Sequence, residues 1–87
     1  MKSDTHNIYI VEDDEFYGSM LEHYLSLNPD YQVKRFNSAA SFLKSIHEKP
    51  DVVTLDYSLP DSTGDKLLQH ITEVSPYTRV IMVSGQK

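Results

Sequence analysis

Three runs of consecutive apolar or β-branched residues punctuate the chain: Ile8-Tyr9-Ile10-Val11, Val52-Val53-Thr54-Leu55 and Val80-Ile81-Met82-Val83. Unbroken runs of this kind predict strands, and the first, apolar throughout, is as expected for a strand covered on both faces. His6 and Asn7 can begin the first strand, and Arg79 the last. Tyr31 to Phe36 is different, with mixed and roughly alternating polarity. Its Lys34 and Arg35 suit an edge strand, where charge discourages pairing with another chain.

Between these runs the spacing changes. From about Asp14 to Leu27, apolar Phe16, Met20, Tyr24 and Leu27 recur every three or four residues, which predicts a helix with one apolar stripe whose aromatics are expected in the core or packed between helices. Asn28-Pro29-Asp30 stops it. Asn37 or Ser38 can cap a second helix whose apolar positions are Ala39, Phe42, Leu43 and Ile46, ended by Pro50-Asp51. Ser62 or Thr63 can start a third, with Leu67, Leu68, Ile71 and Val74 along one side and Ser75-Pro76 as its stop. The order β-α-β-α-β-α-β with short links predicts an α/β domain, a parallel sheet with helices on both faces.

The ends of the strands carry the chemistry. The first runs into Glu12-Asp13-Asp14, the second into Asp56, the last into Ser84-Gly85. Ligands of an open parallel sheet bind in the crevice beyond the carboxyl ends of its strands, so these residues predict one site. Two readings of the acids stand side by side. They can form an acidic first helical turn, with Asp13 or Asp14 as cap. They can also hold a hard cation, since Mg²⁺ takes one or two carboxylates plus waters and phosphate oxygens. Asp56 favours the second, because a charge straight after four apolar or β-branched residues is costly unless paired or metal-bound. Clustered carboxylates also repel, which raises their affinity for a divalent ion. Ser84 can hydrogen-bond a phosphoryl oxygen, and Gly85 permits close backbone approach.

Together these residues resemble the receiver (phospho-acceptor) domain of two-component response regulators. Ile-Val-Glu-Asp-Asp at 10–14 is similar to the family's acidic-pair motif. Val-Val-Thr-Leu-Asp-Tyr-Ser-Leu-Pro-Asp-Ser-Thr-Gly at 52–64 is similar to its phosphorylation segment, and Val-Ile-Met-Val-Ser-Gly at 80–85 to its hydroxyl-bearing strand. The resemblance implies a flavodoxin-like sheet, here four strands in the order 2-1-3-4 with three helices. It implies Asp56 as phospho-acceptor and Ser84 as the group that hydrogen-bonds the phosphoryl and switches. Mg²⁺ would be held by Asp13, Asp56 and the backbone carbonyl of Ser58, with Glu12 acting through water. Pro60 would shape the loop, and Gly64 would open the third helix. A sensor histidine kinase or phosphotransfer protein is the implied phosphodonor, and the effector domain is absent from this chain.

The family also has a fifth strand carrying a lysine that pairs with the phosphoryl group, a switch aromatic and two further helices. Lys87 lies too close to Ser84 to be that lysine. Residues 1–87 are therefore expected to be the N-terminal portion of a receiver domain. Its fourth strand would present an uncharged apolar edge, and the chain is expected to self-associate by edge pairing or domain swapping. A second reading stays open: a receiver-derived scaffold or interaction module without phosphotransfer activity. A small phosphohydrolase would need another acid or base near Asp56, and none is assignable.

Composition narrows the rest. At 87 residues, 39% hydrophobic and 24% charged, the chain reads as one small globular domain with a thin stability margin. A net charge of −5 argues against direct nucleic-acid binding, which needs a basic face. The absence of cysteine excludes disulfides and thiolate metal sites. The four histidines (His6, His23, His47, His70) lack ligand spacing and are expected at the surface. No run approaches the roughly 20 apolar residues of a membrane span, and nothing resembles a signal peptide. The expectation is a cytoplasmic signal receiver, not an enzyme.

Overall fold

The computed structural model describes residues 5–83. They form β1 (His6–Val11), α1 (Glu15–Ser26), β2 (Tyr31–Phe36), α2 (Ala39–Leu43), a 3₁₀ turn (Ile46–Glu48), β3 (Val52–Asp56), α3 (Gly64–Val74) and β4 (Arg79–Val83). All strand pairs are parallel, in the order β2-β1-β3-β4. The expected flavodoxin-like sheet with three helices is what the chain forms. β1 lies inside, and Ile8, Tyr9, Ile10 and Val11 are at most 5% exposed. β2 is an edge, as its charges suggest.

The core lies on one face of the sheet. Tyr9, Val11, Val53 and Leu55 meet Ala39 and Phe42 of α2, Ile46 of the turn, and Leu67 and Ile71 of α3. Phe36 links the edge to this cluster through tilted and edge-on contacts with Tyr9 and Phe42, at 5.3 and 5.8 Å between centroids. The Tyr9 hydroxyl donates to Glu48, which also pairs with Lys34 at 3.2 Å. Burial, then the Glu48 bond, push the Tyr9 phenol well above its usual range, so it stays a donor.

Two expectations need correction. The stripe Phe16, Met20, Tyr24 and Leu27 faces solvent, at 79%, 50%, 69% and 66% exposure. The withdrawn side of α1 is Gly18, buried, with Tyr17, Leu21 and Leu25 half-buried. The helix is apolar on two sides, and polar contacts to β2 accompany the one that turns inward. Arg35 of β2 donates to Glu22 at 3.0 Å and Glu15 at 3.5 Å. Gly18 makes room for that arginine: a Cβ there would stand 3.0 Å from Arg35 Cδ. The second helix is also shorter than expected and stops at Leu43. Ile46–Glu48 tightens to a 3₁₀ turn, and Lys49 takes a left-handed φ of 52°. Lys49 precedes Pro50, whose ring disfavours the helical region at the residue before it.

β4 is the other edge, with Ile81 and Met82 at 55% and 39% exposure. The four histidines are exposed. Among the described residues, no helix is long and apolar enough to cross a membrane.

Candidate functional site

Parallel register sets Val11 beside Leu55, so the residues that follow, Glu12 and Asp56, emerge next to one another. One carboxylate oxygen from each of Glu12, Asp13 and Asp56 lies within 4.8 Å of the others. Glu12 and Asp56 are buried, at 2% and 1% exposure, whereas Asp13 is exposed. The two readings of the acidic triplet divide between its members. Asp14 caps α1, its Oδ1 accepting from the Tyr17 amide at 3.0 Å. Glu12 and Asp13 turn to the site.

Backbone contacts hold the cluster. The Glu12 amide donates to the Phe36 carbonyl at 2.9 Å, which fixes the β1 end against the end of β2. Glu12 Oε2 accepts from the Asp14 amide at 3.1 Å, and Asp56 Oδ1 from the Ser58 amide at 3.2 Å. Three like charges this close repel, and a divalent cation relieves that cost. The donors are all oxygen, and one carboxylate opens to water. That set fits Mg²⁺, which keeps several waters and takes few carboxylates.

The loop after Asp56 is tightly built. The Gly64 amide donates to the Tyr57 carbonyl at 2.8 Å, and Ser58 and Thr63 form an antiparallel bridge. A Cβ on Gly64 would lie 2.8 Å from Met82 Sδ, 3.0 Å from Tyr57 Cα and 3.1 Å from the Asp56 carbonyl oxygen. Two of those neighbours are backbone and cannot give way, so the start of α3 can approach β3 this closely only at a glycine. On the far side Asp56 pairs in register with Val83, whose carbonyl accepts from Tyr57 at 3.3 Å. Ser84, Gly85 and Lys87 lie outside the described residues.

Asp61 was not singled out from the sequence. Its two carboxylate oxygens accept from the amides of Ala39 and Ala40, at 2.9 and 3.0 Å. The Ala39 bond, then the Ala40 bond, hold this carboxyl below the usual range. An acid after a loop proline hints at a cap, but nothing in its spacing points to a helix so far back in the chain.

The family model for the response regulator receiver domain matches residues 8–87. The chain belongs to that family. Receiver domains are signalling modules. This one is 35% identical over 80 residues to the protein-glutamate methylesterase/protein-glutamine glutaminase of Thermotoga maritima, a match covering 90% of this chain and 23% of that protein. It is 31% identical over 81 residues to the chemotaxis protein CheY of Bacillus subtilis, covering 92% of this chain and 68% of CheY. The receiver fold also superposes on the Thermotoga maritima response regulator DrrB, an OmpR/PhoB homologue, with a TM-score of 0.84 at 31% identity. That match covers 92% of this chain and 36% of DrrB. The receiver chain thus spans less than a quarter of the methylesterase's length.

Proposed function

We propose that this receiver domain accepts a phosphoryl group on Asp56 in a Mg²⁺-dependent reaction, as the signal-receiving step of a cytoplasmic phosphorelay. The observation that carries the proposal is the meeting of Asp56 with Glu12 and Asp13 beyond the ends of β3 and β1. A carboxylate oxygen of Asp56 attacks phosphorus, and an aspartyl phosphate forms. The donor's bond to phosphorus breaks, and its electron pair leaves with the donor: imidazole from a phosphohistidine, or acetate from acetyl phosphate. Asp13, Asp56 and the Ser58 carbonyl would hold Mg²⁺, with Glu12 acting through water. When bound, the ion neutralises charge on the transferring group. Ser84, next in sequence after Val83, would hydrogen-bond the phosphoryl oxygens. The natural donor would be a sensor histidine kinase or phosphotransfer protein. The domain acts as a receiver that takes part in its own phosphorylation, not as an enzyme on other substrates, and residues 1–87 form its N-terminal portion.

The direct test is intact mass after incubation with Mg²⁺ and acetyl phosphate. Gain of one phosphoryl group supports the reading; no gain in a folded sample ends it. Removing one proposed ligand, Asp13→Ala, should weaken Mg²⁺ binding at least about tenfold, since even outer-shell partners are worth that much. Calorimetric titration reads it, and unchanged affinity would remove the metal assignment.

A second reading, an interaction module, is favoured by one observation: the exposed apolar residues of β4 and of α1. Edge strands of this kind pair with other chains. Self-association through β4 is expected to appear in sedimentation as a mass that rises with concentration. A concentration-independent monomer would count against it.

A further inference from the structure

The β3–α3 loop, residues 57–63, is stiff in itself, and Leu59 packs against the core. The Leu59 amide donates to the Ser62 carbonyl at 3.2 Å, and the Gly64–Tyr57 bond and the Ser58–Thr63 bridge close the base. A loop held by its own bonds and one apolar contact, Leu59 against the core, can still shift about Tyr57 and Gly64. Its polar anchor is at the tip, where Asp61 grips the amides of Ala39 and Ala40 with both carboxylate oxygens.

Those amides belong to the junction that also anchors the other half of the site. The Phe36 carbonyl, just before α2, accepts from the Glu12 amide at 2.9 Å. Residues 36–40 therefore hold the acidic turn by one contact and the Asp56 loop by another. Ser58, whose amide bonds Asp56 Oδ1, lies between Tyr57 and the tip. Asp61 does more than cap α2, because its two bonds tie the helix start to the β3–α3 loop. Ser38 already caps this five-residue helix, with its Oγ accepting from the Ser41 amide at 3.2 Å.

We propose that Asp61 is a positioning residue, a latch that holds the β3–α3 loop against the β2–α2 junction and so sets Asp56 and the Ser58 carbonyl toward Glu12 and Asp13. The proposal rests on the cation-dependent reading above. It does not make Asp61 a ligand or an acceptor; Asp61 acts through the loop.

The test compares wild type with Asp61→Ala, Asp61→Asn and Ser38→Ala. Mg²⁺ affinity is read by calorimetry, phosphoryl uptake from acetyl phosphate across Mg²⁺ concentrations, and stability by thermal melting. Asp61→Ala should weaken Mg²⁺ about tenfold, the scale of an outer-shell loss, and need more Mg²⁺ for half-maximal uptake. Its rate at saturating Mg²⁺ should stay near that of wild type. Asp61→Asn, which keeps one acceptor, should recover part of the affinity. Ser38→Ala should lower the melting temperature and leave Mg²⁺ affinity unchanged. Equal Mg²⁺ affinity in wild type and Asp61→Ala, or equal weakening by Ser38→Ala, overturns the latch and leaves the function standing. Wild type that takes up neither Mg²⁺ nor phosphoryl overturns both.

Discussion

Asp56→Asn should take up no phosphoryl group from acetyl phosphate under conditions that load the wild type, and should remain folded. The amide oxygen is too poor a nucleophile to attack phosphorus, whereas the carboxylate it replaces is the group proposed above to make that attack. The shapes are the same, and Asn retains an oxygen to accept from the Ser58 amide, as Asp56 Oδ1 does at 3.2 Å. The substitution also removes one of three like charges whose oxygens lie within 4.8 Å. Without Mg²⁺ the variant should therefore melt at no lower a temperature than wild type. Intact mass and thermal melting read the two halves. Phosphoryl incorporation persisting in the variant would move the acceptor elsewhere.

Phe42→Ala should cost about 3–5 kcal/mol, because it deletes a large buried ring and leaves a cavity that packed neighbours only partly fill. Phe42 is 0% exposed, and its ring meets Phe36 edge-on at 5.8 Å between centroids. It also joins α2 to the sheet, in one cluster with Tyr9, Val11 and Ile46. Set against a typical total of ~5–15 kcal/mol, the loss brings a domain of this size near its unfolding limit. Urea denaturation should show a much lower midpoint with little change of slope. The same truncation at Phe16, 79% exposed, should stay within about 0.5 kcal/mol. Similar costs at both positions would contradict the placement of the core.

β1 and β3 were legible because burial in the middle of a sheet leaves a local signature, an unbroken apolar or β-branched run, that needs no knowledge of partners. β4 carries the same run although its Ile81 and Met82 are exposed. Strand order was a different matter. It came from the resemblance of segments 10–14 and 52–64 to a family, and the structure agrees. The inward side of α1 was misjudged because periodicity finds an apolar stripe but cannot rank two. Tyr17, Leu21 and Leu25 form the second, and on that side Arg35 reaches Glu22 and Glu15 over Gly18. Those are contacts between elements, invisible along one helix. The truncation of α2 was readable in part, since Lys49 precedes Pro50. In the site, Glu12, Asp13 and Asp56 were found because strand ends converge in a parallel sheet. Asp61 was missed because its partners, Ala39 and Ala40, become neighbours only once the chain has folded.

The all-parallel pairing has a consequence for how the domain comes into being. No two strands can join as a hairpin, so each pairing waits for an intervening crossover. Topologies dominated by such distant contacts form slowly, in roughly milliseconds to seconds for small domains. As the chain is synthesised, β1 and β2 can pair first, yet Ile8 to Val11 must wait for Val52 to Leu55 to cover the other side of β1. Through that interval the strand that ends most deeply buried has one open edge, and crowded nascent chains could capture one another there. Glu12 and Asp56 also stay apart until β3 docks. A cation that binds their cluster would arrive after the slow step, and would lengthen the life of the native state without hastening its birth.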